Sequence, residues 1–79
     1  MELKEQLFAI ITEFLGVKKD LISLESDFYS DFNASKLEVA DLVLISQQKL
    51  NINFPEEKIE KIKTVGDLLK LFEENSDEI

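Results

Sequence analysis

Asp31-Phe32-Asn33-Ala34-Ser35-Lys36-Leu37-Glu38 is the stretch around which this chain organises itself. Ser35-Lys36-Leu37-Glu38 fits the Ser-x-x-Glu capping box. In that motif the serine oxygen accepts from a backbone N–H of the first helical turn, and the glutamate reaches back to the N–H of the cap residue. Apolar residues follow at once, at Leu37, Val39, Ala40, Leu42, Val43, Leu44, Ile45 and Leu50. The reading is a helix that starts at Ser35 and stops at Asn51-Ile52-Asn53-Phe54-Pro55. There the asparagines favour turn conformations, and the proline cannot continue a helix behind it.

Upstream, Leu3, Leu7, Ile10, Ile11, Phe14 and Leu15 recur at three and four residue spacings, the mark of one apolar face on an amphipathic helix. Gly16 supplies a left-handed C-terminal cap. From Val17 to Ala34 no helical period persists, so this segment reads as a long loop pinned to the core by Leu21, Ile22, Leu24 and Phe28. Downstream, Glu56 to Lys61 is long enough for one short helix. Thr64-Val65-Gly66-Asp67 then caps a last helix carrying Val65, Leu68, Leu69, Leu71 and Phe72. The acidic tail from Glu73 is expected to fray. The predicted fold is all-α, one domain over residues 1–79: a four-helix bundle with a long first loop and a short third helix. Leu7, Ile11, Phe28, Val43, Leu50, Ile62, Leu68 and Leu71 are its expected core.

The chain has 79 residues and no cysteine, histidine or tryptophan. That removes disulfides, thiol chemistry, the usual zinc ligands and the commonest general base, so an enzyme is the least supported class. Seventeen acidic residues against nine basic ones leave a formal net charge of -8, which repels phosphate backbones and favours partners with basic patches. Nucleic acid is therefore not an expected partner. No apolar run approaches the ~20 residues of a membrane span, and no basic, then apolar leader opens the sequence. A cytoplasmic monomer, or the mature domain of an organelle protein, is the expectation.

The Asp31–Glu38 stretch resembles the acyl carrier protein family, whose pattern at this point reads Asp-Leu-Gly-Ala-Asp-Ser-Leu-Asp. Asp31, Ala34 and Leu37 match it, and Phe32 and Glu38 are conservative replacements. The resemblance extends through Leu15-Gly16-Val17-Lys18, Phe28, Ile52, Pro55, Lys61-Ile62 and Thr64-Val65. It implies a non-enzymatic carrier for fatty-acid, lipid or related acyl biosynthesis. In that family a phosphopantetheinyl transferase attaches 4′-phosphopantetheine to the serine at the start of the second helix. Acyl-chain-processing enzymes then dock on that helix.

The family's serine falls at Lys36. An amine cannot form the phosphodiester that tethers the arm, so the chain is expected to lack it. Ser35 is the nearest hydroxyl and the alternative attachment candidate, but it is already assigned as the helix cap. A shift of one residue within the first turn also rotates the attachment point by about 100°. The competing reading is an apo-only interaction or regulatory module of the same fold; a helical domain unrelated to acyl metabolism is a third. The resemblance places the partner-binding residues at Leu37, Glu38, Ala40, Asp41 and Leu44, with Gln47 and Gln48 where family members often carry glutamates. Lys36 is either a solvated surface residue or paired with a neighbour such as Glu38. Ser46, on the inward register, is expected to bond the carbonyl of Leu42. Phe8, off the apolar stripe, is expected to be partly exposed. Asp27, Asp31, Asn33, Ser35 and Glu38 follow an EF-hand count, but Tyr29 and Phe32 stand at positions that calcium loops do not tolerate.

Overall fold

The computed structural model describes residues 2–76, and its elements follow from the local signals. Helix α1 spans Leu3–Leu15 and ends at Gly16, whose φ of 74° is left-handed and whose N–H bonds the carbonyl of Thr12 at 2.9 Å. A single 3-10 turn, Lys19–Leu21, interrupts the long loop. Helix α2 spans Lys36–Leu50, with Ser35 as its cap, as the capping box predicts. Asn51 closes α2 in the left-handed conformation (φ 56°), donating to the carbonyl of Gln47, which also receives the N–H of Ile52 at 3.2 Å. The Glu56–Lys61 segment is a 3-10 helix entered through Pro55. Helix α3 spans Val65–Glu74 behind a second capping box, Thr64 with Asp67. Glu73 and Glu74 complete its last turn, so the helix runs further than its acidic composition suggests; the end of the tail lies outside the described residues. No helix among the described residues is long and apolar enough to cross a membrane.

Helix α1 packs against both α2 and α3. The most deeply buried side chains are Leu7 and Ile11 from α1, Val39, Leu42, Val43 and Ser46 from α2, and Val65, Leu68 and Phe72 from α3, together with Phe28 and Ile62. Of the expected core, Leu50 and Leu71 are only half-buried. Leu50 ends α2 beside an open groove of about 910 Å³ that it lines with Leu3, Ile52 and Leu69. Leu71 borders a smaller depression between α3 and the 3-10 helix. Phe54 is among the core residues outside the expected set: it is 8% exposed and sets its ring edge-on to Phe72, centroids 5.2 Å apart. Its segment has no helical period to betray which side faces inward. Ser46 is fully buried, and its hydroxyl donates to the carbonyl of Leu42 at 2.7 Å, the usual resolution for a serine inside a helix. Phe8 is half-buried, with the Lys4 ammonium 5.7 Å from its ring centroid.

The long loop is tied to the start of α3 by backbone bonds. Phe28 N–H donates to the Lys63 carbonyl (2.9 Å), Val65 N–H to Ser26 (3.0 Å) and Gly66 N–H to Leu24 (2.8 Å), around an antiparallel bridge between Asp27 and Thr64. Gly66 is required by this approach: a Cβ there would lie 2.9 Å from the Leu24 carbonyl oxygen. The two loop carboxylates of the EF-hand count, Asp27 and Asp31, serve the loop itself. Asp27 Oδ1 accepts from the N–H groups of Tyr29 (2.7 Å) and Ser30 (3.0 Å), and Asp31 Oδ2 accepts from Asp27 N–H (2.7 Å). The Ser30 and Tyr29 backbone donors hold the Asp27 carboxyl below the usual carboxylate range.

Candidate functional site

The loop delivers the start of α2 at a fixed angle. Phe28 is buried, Phe32 meets it edge-on at 6.2 Å, and Ala34, itself buried, donates its N–H to the Phe28 carbonyl at 2.9 Å. Asn33 makes the turn between them with φ 56°. Asparagine is among the few side chains that enter this region readily, which explains how the chain manages without the glycine of the family pattern.

Ser35 and Glu38 then close both halves of the capping box: Glu38 N–H donates to Ser35 Oγ at 3.1 Å, and Ser35 N–H donates to Glu38 Oε1 at 2.8 Å. Ser35→Ala is expected to lower stability by about 1 kcal/mol. Lys36→Ala should change it much less, because Lys36 contributes only a side chain in water. Urea titration of both variants checks the pair; equal effects would remove Ser35 from the capping role.

Lys36 is the first residue of α2 and is exposed. It does not pair with Glu38, whose carboxylate is turned back onto the Ser35 N–H, and its ammonium has no ion-pair partner among the described residues. A cation at the positive end of a helix is mildly unfavourable for the isolated chain.

Four of the five residues assigned to partner binding are exposed on α2. Leu37 is 72% and Leu44 50% accessible, Glu38 and Asp41 are exposed, and Ala40 is half-buried. At about 100° per residue, Leu37, Asp41, Leu44 and Gln48 fall in one narrow stripe, opposite the buried Val39, Leu42, Val43 and Ser46. Lys36 and Glu38 flank the stripe on either side of its N-terminal end. Sequence spacing alone does not identify this face, because α2 carries apolar residues around most of its circumference. Gln47, expected on the surface in place of a glutamate, is half-buried, and its Oε1 accepts from the Phe54 N–H at 3.4 Å. It is therefore partly an anchor for the α2 exit. Further along, Lys49 pairs with Glu13 of α1 at 3.0 Å; both are well exposed, so the pair contributes at most about 1 kcal/mol.

The donor set at the start of α2 does not fit a phosphodiester-linked arm in the manner of the family pattern. Residue 36 offers an amine, and the Ser35 oxygen is engaged one position earlier. Among the described residues no group of three or more His, Cys, Asp or Glu side chains forms a metal site.

Comparison with known proteins bears on all of this geometry. No family model matches the chain. Individual proteins do. The chain is 40% identical over 75 residues to an acyl carrier protein of Helicobacter acinonychis, covering 95% of this chain and 96% of that one. It is 39% identical over the same length to an acyl carrier protein of Helicobacter pylori, and 36% identical to one of Wolinella succinogenes, of which it covers 99%. Acyl carrier proteins are carriers and not enzymes. With likeness running nearly end to end, and with a helical bundle that presents the start of α2 from a long anchored loop, the chain belongs to the acyl carrier protein family.

Proposed function

We propose that this chain serves fatty-acid or related acyl biosynthesis in the cytoplasm as a monomeric protein that docks on acyl-chain-processing enzymes through the outer face of α2, without a phosphopantetheine arm. One observation carries the reading: the attachment position is Lys36, while the only adjacent hydroxyl, Ser35, is held in the capping box. Leu37, Ala40 and Leu44 supply apolar contact, and Glu38 and Asp41 supply charge. The family relationship supports the pathway, and the accessibility of Leu37 and Leu44 supports the docking face. A protein that presents this face without an arm competes for, recruits or regulates enzymes that otherwise receive loaded carriers.

Incubation with coenzyme A, magnesium and a broad-specificity phosphopantetheinyl transferase tests the arm. Intact mass should show the chain unmodified and Lys36→Ser modified. Stoichiometric labelling of the unaltered chain at Ser35 would overturn the apo reading and make this a carrier with a shifted attachment site. Failure of a correctly folded Lys36→Ser variant would place the divergence in transferase recognition as well, since the thinned acidic surface weakens electrostatic steering.

A further inference from the structure

The open groove of about 910 Å³ at the end of α2 is walled by aliphatic side chains from every part of the bundle: Leu3 of α1, Leu24 of the loop, Leu50 and Ile52 at the α2 exit, and Leu69 of α3. Leu24 is 41% exposed, and Leu3, Leu50 and Ile52 are only half-buried, so part of their apolar surface has no protein cover. The loop side of the wall is fixed, because the Gly66 N–H donates to the Leu24 carbonyl at 2.8 Å. Apolar surface left open in this way and rimmed by polar groups marks an interaction site. The groove lies about 20 Å along the α2 axis from Lys36, beyond the far end of the Leu37–Leu44 stripe.

The rim is acidic. Glu2 and Glu73 line the groove, and both are exposed. Asp77 and Glu78 follow Ser76, another lining residue, so chain connectivity alone keeps both within about 7 Å of it. Lys4 is the one cation among the described lining residues. It keeps its charge, with its ammonium 5.7 Å from the Phe8 ring centroid, but these four carboxylates outnumber it. The whole chain, at a net charge of -8, adds a field of the same sign. We propose that this groove is a second docking site, and that it takes a protein segment with aliphatic side chains on one face and lysine or arginine on the other. The walls are side chains and offer no strand edge, so contact is made as when an amphipathic helix lies in a groove. The aliphatic face covers Leu50, Ile52 and Leu69, while the cations meet the rim, which sets encounter rate and orientation. An anionic lipid surface is repelled by the same rim. The site uses neither Lys36 nor the outer face of α2, so it stands whether or not the chain carries an arm.

The probe is a synthetic helical peptide of leucine and lysine, with leucine at the three and four residue spacings of one helix face, titrated into the isotope-labelled full chain. Methyl shifts are followed by NMR. The expected result is that Leu50, Ile52 and Leu69 move together and ahead of Leu37 and Leu44. A peptide of the same composition in scrambled order should bind about tenfold more weakly or worse, and a leucine and glutamate version should not bind. Glu73→Lys should weaken the leucine and lysine peptide about tenfold. Glu57→Lys, an equal change of charge on the exposed 3-10 helix, should weaken it about twofold at most. The proposal is overturned if the peptide does not bind, if the shifts centre on Leu37 and Leu44, or if the scrambled peptide binds equally. It is overturned too if both charge variants weaken binding alike, since general attraction to an acidic chain then explains it. Two further outcomes overturn it by showing a groove already filled. Contacts from Ile79 to Leu50 and Leu69 that the peptide fails to displace would assign the groove to the chain's own tail. Concentration-dependent shifts of the same methyls without peptide would assign it to a second copy.

Discussion

Phe28→Ala is expected to lower the free energy of unfolding by about 3–5 kcal/mol, the usual cost of emptying a buried aromatic site. Phe28 is fully buried, although it comes from the loop and not from a helix. Its backbone joins two distant pieces, donating to Lys63 ahead of α3 and accepting from Ala34 ahead of α2, and its ring supports Phe32. Chains of this length commonly unfold with about 4–12 kcal/mol, so the loss approaches the whole. Equilibrium urea unfolding is the direct measurement. Where a folded population remains, exchange of the Phe28 and Ala34 amides should accelerate more than that of α1, because the loop loses its anchor. A loss under about 1 kcal/mol would mean that the loop is held by its backbone bonds alone. The consequence for the site follows from geometry: the Phe28–Ala34 turn sets the position of Ser35 and Lys36, so a loosened anchor blurs the start of α2 before it melts the bundle.

Gly66→Ala is expected to destabilise by about 1–3 kcal/mol, and here the sign is the informative result. Gly66 lies in the first turn of α3, and glycine within a helix is normally less stable than alanine by about 0.5–1 kcal/mol. Propensity alone therefore predicts stabilisation. Packing predicts the reverse, because the added Cβ would stand 2.9 Å from the Leu24 carbonyl oxygen, a backbone atom that cannot swing aside as a side-chain tip does. Relief requires the loop to lift and stretches the 2.8 Å bond from Gly66 N–H to Leu24. Denaturant midpoints of the variant and the parent settle the sign. A more stable variant would show that the strap gives way at little cost and is not a fixed part of the fold.

Much of this protein was legible because the signals that start and stop its helices act within four residues. Ser35 with Glu38, Thr64 with Asp67, the left-handed Gly16 and the turn at Asn51 are local hydrogen-bond and steric solutions, and they stand where the sequence places them. The amine at residue 36 is equally local, since no fold turns it into an alcohol. Six of the eight residues expected in the core, Leu7, Ile11, Phe28, Val43, Ile62 and Leu68, are buried there, whereas Leu50 and Leu71 are only half-buried, and tertiary structure decided that remainder. Helix α2 carries leucine, valine or isoleucine on most of its circumference, so the positions of α1 and α3 determine that Leu42 goes fully in while Leu50, expected inside, stays half-buried at the end of the helix. Phe54 sits in an aperiodic segment and becomes core because Phe72 is there to meet it. Gly66 looks like a weak helix residue until Leu24, forty-two positions earlier, is brought against it. In each case the deciding contact is between residues far apart in sequence, and chain closure, not local propensity, determines the outcome.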